Sequence, residues 1–142
     1  MLIAKNFGRV TDVTQRAAIS LELLHTASLV HDDVVDESME RRGQASVNAS
    51  YNNKVAVLVG DFFVTGALRC AVKAGDSRVL ESLAQMGGDL SLGEINQYDN
   101  ARSRNIDEAT YLTIIGKKTA SLFESCVAVG GYVNNGPDNQ IK

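Results

Sequence analysis

Three aspartates in the order D-D-x-x-D, Asp32, Asp33 and Asp36, are followed closely by two arginines, Arg41 and Arg42. On a helix, Asp32 and Asp36 share one face about 6 Å apart along the axis. Carboxylates placed so repel each other unless a cation lies between them. Mg²⁺ fits, since it takes one or two carboxylates and completes its shell with water and phosphate oxygens. Asp33 lies about 100° around the helix and reads as a supporting group or a partner to a charge. The planar forks of Arg41 and Arg42 match phosphate geometry. His25 lies two turns before Asp32 on the same face. Acid, metal and arginine in one segment suggest a diphosphate site. A solvated helix end is the bland alternative, but carboxylates near a helix C-terminus oppose the macrodipole.

Four long helices can carry these groups. Thr11 or Asp12 caps the first, whose apolar residues (Val13, Ala17, Leu21, Leu24, Ala27, Val30) recur at three- and four-residue steps to about Asp36. The first ten residues read as uncommitted or as a partial helix, and residues 44–53 as a polar connection. Asn52 or Asn53 caps a second helix to about Lys73, apolar on nearly every side and therefore expected to be central. Asp76 or Ser77 caps a third to about Tyr98. Gly87 and Gly88 inside it each cost about 1 kcal/mol relative to alanine, which close packing or a kink would offset. After a polar linker at 99–105, Asn105 and Glu108 resemble a capping box. The fourth helix should run to about Val129, with Gly130, Gly131 and Pro137 ending it. The fold class expected is all-α, an antiparallel helix bundle.

The 142 residues allow one domain, and 44% apolar with 22% charged residues suits a globular protein. A net charge of −3 with no basic stripe argues against nucleic acid as a partner. Cys70 and Cys126 lack metal-ligand spacing and read as buried free thiols of a reducing compartment, so a cytoplasmic location is expected. No secretory leader is recognised. The apolar run from Val55 to Leu68 contains Asp61 and reads as a core helix, not a membrane span.

The stretch HTASLVHDDVVDESMERRGQASVN resembles the first aspartate-rich motif of the trans-isoprenyl diphosphate synthases, the polyprenyl synthetase family, in particular its longer-chain members. VAVLVGDFF (55–63), GEINQ (93–97) and GKKTASLF (116–123) agree in order and spacing. The resemblance implies an isoprenoid synthase fold and a homodimer. It implies prenyl transfer from an allylic diphosphate to isopentenyl diphosphate, yielding a medium- or long-chain all-trans polyprenyl diphosphate. Asp32 and Asp36 would then hold Mg²⁺, and Asp32, Asp33, Asp36 and Lys118 would form the catalytic set. By the same resemblance Arg41, Lys118 and Thr119 meet the allylic diphosphate, while His25 and Arg42 meet isopentenyl diphosphate. Glu94 and Gln97 line the pocket, Gln97 as a substrate contact. Ala27 and Ser28 stand where bulky residues stop chain growth, and their small size implies long products. His31 has no such counterpart and reads as structural. The family's upstream Gly-Gly-Lys-x-x-Arg segment and downstream second aspartate-rich motif do not occur in these residues, so the chain reads as the first half of a synthase.

The alternative is a non-catalytic helical module of the same fold, acting as a dimerisation or binding subunit. A terpene cyclase shares D-D-x-x-D but needs neither the arginine pair nor Lys118-Thr119. A His-Asp phosphohydrolase built on His31-Asp32 would need further histidines, and only His25 remains.

Overall fold

The computed structural model describes residues 1–103 and 108–134. Its order is α1 (Leu2–Phe7), α2 (Asp12–Val35), β1 (Glu40–Arg41), β2 (Gln44–Ala45), α3 (Val47–Ser50), α4 (Asn53–Ala74), α5 (Ser77–Ser103), α6 (Glu108–Ile115), a π-helical turn (Gly116–Ala120) and α7 (Ser121–Tyr132). The first three expected helix starts hold, and the capping side chains explain them. Thr11 and Thr14 exchange a reciprocal pair of side chain–backbone bonds. Asn52 Oδ1 accepts from the Val55 amide at 2.9 Å, and Asp76 Oδ1 from the Arg78 amide at 2.9 Å. These bonds satisfy amides that a first turn otherwise leaves unpaired.

The α2–α4 contact is the most extensive in the bundle. The two helices run antiparallel, since His31 faces Gly60 while Leu23 faces Gly66. Small residues on α4 make the approach possible: Ala56, Gly60, Ala67, Ala71 and Ala74 are buried. The core joins Ala17 and Leu21 of α2 to Val79, Leu83 and Met86 of α5 and Val129 of α7. α5 and α7 are also antiparallel, because Gly93 faces Lys118 while Arg78 donates to the Tyr132 carbonyl at 3.1 Å.

Several expectations give way. The stretch 44–53 is not plain connection: β1 and β2 form a small hairpin, and α3 adds one turn. α5 continues through Arg102 to Ser103, since no Gly or Pro after Gly93 interrupts it. The expected fourth helix is broken by the π turn. Gly130 and Gly131 do not end α7, which reaches Tyr132. Both are buried, and a Cβ at Gly130 would meet Ile3 at 3.0 Å, so Gly130 serves the packing of α1. The close approach expected at Gly87 and Gly88 occurs instead at Gly60 and Gly93, for a Cβ at Gly87 would make ordinary contact with Leu24 and one at Gly88 would meet nothing. Asn105 and Pro137 lie outside the described residues.

α4 is not central. Its outer face exposes Leu58, Phe62 and Val72 at 66%, 76% and 64%. At 22 residues it is long and apolar enough to cross a membrane by length and composition, more than the run from Val55 to Leu68 suggests. Here its inner face is committed to α2. Nor are the cysteines buried: Cys70 is half-buried and Cys126 is exposed, because α7 presents it on an outer face with Phe123 and Val127.

Candidate active site

The end of α2 fixes the aspartates. The Ser38 amide donates to the Asp33 carbonyl at 2.9 Å and the Glu37 amide to the Val34 carbonyl at 3.3 Å. This pair of bonds is a Schellman motif. Glu37 takes the left-handed position where glycine is usual, at φ 52°. Asp36 becomes the C-cap, one turn beyond Asp32. Asp33 points inward at 4% exposure. Its carboxylate accepts a fork from Arg41, Nε to Oδ2 at 2.9 Å and Nη2 to Oδ1 at 2.8 Å.

The loop that carries the arginines folds back on Asp33. Asn48 Nδ2 donates to the Ser38 carbonyl at 3.0 Å and Ser46 Oγ to the same carbonyl at 2.7 Å. The hairpin turns through Arg42 and Gly43, both at positive φ (52° and 79°), as a type I′ turn requires. Glycine adopts that backbone freely, whereas an L side chain at Arg42 costs about 1 kcal/mol. Arg42 is exposed at the tip.

Asp32 faces a cleft of about 480 Å³ between α2, α4, α5 and the π turn. Its mouth is charged. Lys118 Nζ lies 2.5 Å from Glu94 Oε2, 2.9 Å from Gln97 Oε1 and 3.9 Å from Asp32 Oδ2. The Glu94 contact is an ion pair without hydrogen-bond alignment. Burial pushes the Asp32 carboxyl up to about 6, and the Glu94 and Asp36 charges add to this while Lys118 and Arg41 oppose it. Thr119 stands beside Lys118 on the cleft wall. Below the mouth the walls are apolar, with Ala27, Leu90 and Val64 beside Ser28.

His25 lines this cleft and also a smaller cavity of about 280 Å³ between α2 and α7. Its Nδ1 is buried and has no hydrogen-bond partner among the described residues. Among the described residues no three potential metal ligands cluster. A magnesium ion does not require that. Asp32 and Asp36 are the hard-oxygen groups that would hold one, with waters and phosphate oxygens to complete the shell.

The structure thus gathers Asp32, Lys118, Thr119, His25, Ala27 and Ser28 around one cleft. Asp36, the exposed C-cap of α2, does not line it, and Gln97 is held to Lys118. Arg41 is not fully free for an anion: Nε and Nη2 are engaged by Asp33, and Nη1 is the nitrogen left over. Two roles were not legible. Glu94, anticipated only as lining, is the closest partner of Lys118. His31 reaches across to α4, with Nε2 3.2 Å from the Val57 carbonyl and 3.4 Å from Asp61 Oδ1. The one signal in the sequence was Gly60 beside Asp61 in an otherwise apolar run.

The polyprenyl synthetase family profile matches residues 1–142. This chain belongs to the polyprenyl synthetase family. It is 39% identical over 133 residues to octaprenyl diphosphate synthase of Escherichia coli, covering 94% of this chain and 41% of that protein. The fold superposes on a decaprenyl diphosphate synthase of Rhodobacter capsulatus with a TM-score of 0.93 at 37% identity, covering 98% of this chain and 43% of that one. A polyprenyl synthase of Caulobacter crescentus, complexed with calcium and isoprenyl diphosphate, gives 0.89 at 35% identity, covering 94% and 40%. The all-α isoprenoid synthase architecture expected from the sequence is the one observed. The chain spans about two fifths of the length of these polyprenyl synthetases.

Proposed function

We propose that this chain carries the first aspartate site of a Mg²⁺-dependent trans-prenyltransferase. The full reaction condenses isopentenyl diphosphate with an allylic diphosphate to a medium- or long-chain all-trans polyprenyl diphosphate. The observation that carries this reading is one cleft with an anionic and cationic mouth, Asp32 beside Lys118, above apolar walls. Such a cleft suits a ligand with a charged head and a hydrocarbon tail.

Mg²⁺ held by Asp32 and Asp36 would neutralise charge on the allylic diphosphate as it leaves. Lys118, Thr119 and the remaining Nη1 of Arg41 would bind its oxygens. His25 and Arg42 would hold the diphosphate of isopentenyl diphosphate. The allylic C–O bond breaks, a C–C bond forms to the terminal isopentenyl carbon, and the proton lost goes to the departing diphosphate. Apolar walls at Ala27, Leu90 and Val64 keep water from the electron-poor carbon.

The exposed stripe Leu58, Phe62 and Val72 on α4 supports a homodimer through that helix. Two free thiols fit the cytoplasm. The same stripe also favours the second reading, a binding or dimerisation subunit without turnover of its own. Titration calorimetry with Mg²⁺ and inorganic pyrophosphate tests the site directly. Parent-like binding by Asp32→Ala and Asp36→Ala would sink the metal reading. Activity of the synthase needs more than this segment, so only a positive result separates the two: product from the chain with both diphosphates and Mg²⁺ would exclude the non-catalytic module.

A further inference from the structure

We propose that Glu94 is the positioning residue for Lys118, holding the ammonium beside Asp32 while preventing it from closing on that carboxylate. The inference rests on the diphosphate reading of the cleft and names what keeps its two opposite charges usable.

Three features converge. First, Lys118 Nζ is 2.5 Å from Glu94 Oε2 and 2.9 Å from Gln97 Oε1, both on α5, but 3.9 Å from Asp32 on α2. Second, the backbone is pressed against α5 at the adjacent residue: a Cβ at Gly93 would lie 2.7 Å from Lys118 Cγ and 3.3 Å from its amide nitrogen. Only glycine lets the π turn come this close, so the Lys118 stem leaves the backbone already beside Glu94. Third, the Glu94 side chain is 16% exposed and its Oε2 has no aligned hydrogen bond among the described residues, where Lys118 is the cation against it.

The consequence follows from charge. A lysine stem is flexible and its ammonium behaves as a point charge. Without Glu94 the nearest anion is Asp32, and closing that gap would spend the carboxylate on an internal ion pair. With Glu94 in place, Lys118 is compensated from α5, and Asp32 keeps its oxygens for a cation. An ammonium has three N–H donors. Gln97 accepts one of them and Glu94 offsets the charge as an ion pair, which leaves N–H donors for a diphosphate oxygen.

The test uses the 142-residue chain with Mg²⁺ and inorganic pyrophosphate as probes, followed by calorimetry. Glu94→Gln, nearly isosteric, should weaken Mg²⁺-dependent pyrophosphate binding about tenfold, and Glu94→Asp should recover part of the loss. In a Lys118→Ala background Glu94→Gln should have no further effect. Unchanged or tighter binding by Glu94→Gln, or an equal loss in both backgrounds, would overturn the proposal. A second readout needs no ligand. The ammonium resonance of Lys118, assigned by NMR in isotope-labelled protein, should move in Glu94→Gln and should then respond to Asp32→Asn. A resonance that stays put overturns the Glu94 role by itself. If the parent binds no pyrophosphate, the diphosphate reading fails, and this resonance still decides whether Glu94 holds Lys118.

Discussion

Asp33 and Arg41 form a two-pronged ion pair, at 2.8 and 2.9 Å, that ties the end of α2 to the hairpin carrying the arginines. It divides the labour within the aspartate triplet: Asp32 lines the cleft and Asp36 is exposed at the helix end, while Asp33 is buried and paired. Asp33→Ala should therefore destabilise the chain by about 2 kcal/mol, below the cost of breaking a fully buried pair because the Arg41 side chain is 36% exposed. Urea denaturation measures this. Magnesium binding should weaken less than in Asp32→Ala, and a larger loss at Asp33 would reverse the assignment.

The Asp32 carboxyl titrates near 6 rather than 3.8, chiefly because it is buried and secondarily because Glu94 is near. The folded chain then holds an extra proton between about pH 4 and 6, and the stability contributed by that proton is lost as pH rises through the window. Chemical denaturation of the metal-free chain should show decreasing stability from pH 4 to 6, and Asp32→Asn should flatten the trend. Magnesium affinity should run the other way, rising with pH to a plateau above about 6, because a ligand carboxylate must be ionised. A pH-independent magnesium affinity across that window would refute the assignment of Asp32 as ligand.

Gly60 lies beneath the His31 ring, and a Cβ there would overlap it. The ring is not free to retreat, being held at the Val57 carbonyl and Asp61. Gly60→Ala gains about 1 kcal/mol in helix propensity but costs about 1–3 kcal/mol in overpacking, so the net effect should be destabilising. In a His31→Ala background the clash is gone and the same substitution should stabilise. Thermal melts of the four proteins check the reversal of sign.

The helices were legible because their signals are local. Thr11, Asn52 and Asp76 are caps whose partners lie two or three residues away, and apolar spacing marked α2. The pairing of Asp33 with a charge was legible too, since angular position on a helix separates it from Asp32, whereas the resemblance put Asp33 in the catalytic set and the structure buries it against Arg41. What escaped depends on residues distant in sequence. Glu94 meets Lys118 only because α5 and α7 are antiparallel with Gly93 at their crossing. The exposed face of α4 could not be read from composition, for a helix apolar all round does not say which neighbours cover it.

Arg42 occupies a turn position that favours glycine or asparagine, at φ 52°. Backbone strain retained at an exposed cation suggests a side chain kept for binding. Arg42→Gly should raise stability by about 1 kcal/mol or leave it unchanged, and lower pyrophosphate affinity several-fold. Stability and affinity moving together would show that Arg42 serves the fold instead.

Ala27 and Ser28 both line the cleft below Asp32, but they differ in burial. Ala27 is 0% exposed, while Ser28 is half-buried and its hydroxyl donates to the His25 carbonyl at 2.8 Å. A bulky residue at Ala27 must displace the core, whereas one at Ser28 can turn into the open volume. Ser28→Phe should therefore be the cleaner way to shorten the space for a hydrocarbon tail. An aromatic side chain is large enough to block much of a passage one chain wide. Calorimetry with non-hydrolysable prenyl diphosphate analogues of increasing length separates head from tail. The parent should bind longer tails progressively more tightly, at about 0.8 kcal/mol per methylene buried. In Ser28→Phe that gain should stop at a shorter tail, with Mg²⁺-pyrophosphate binding unchanged. Ala27→Phe should show the same ceiling together with a lower melting temperature. A tail-length dependence identical in parent and Ser28→Phe would place the limit deeper in the bundle, toward Leu24 and Gly87, and remove Ser28 from the determinants of length.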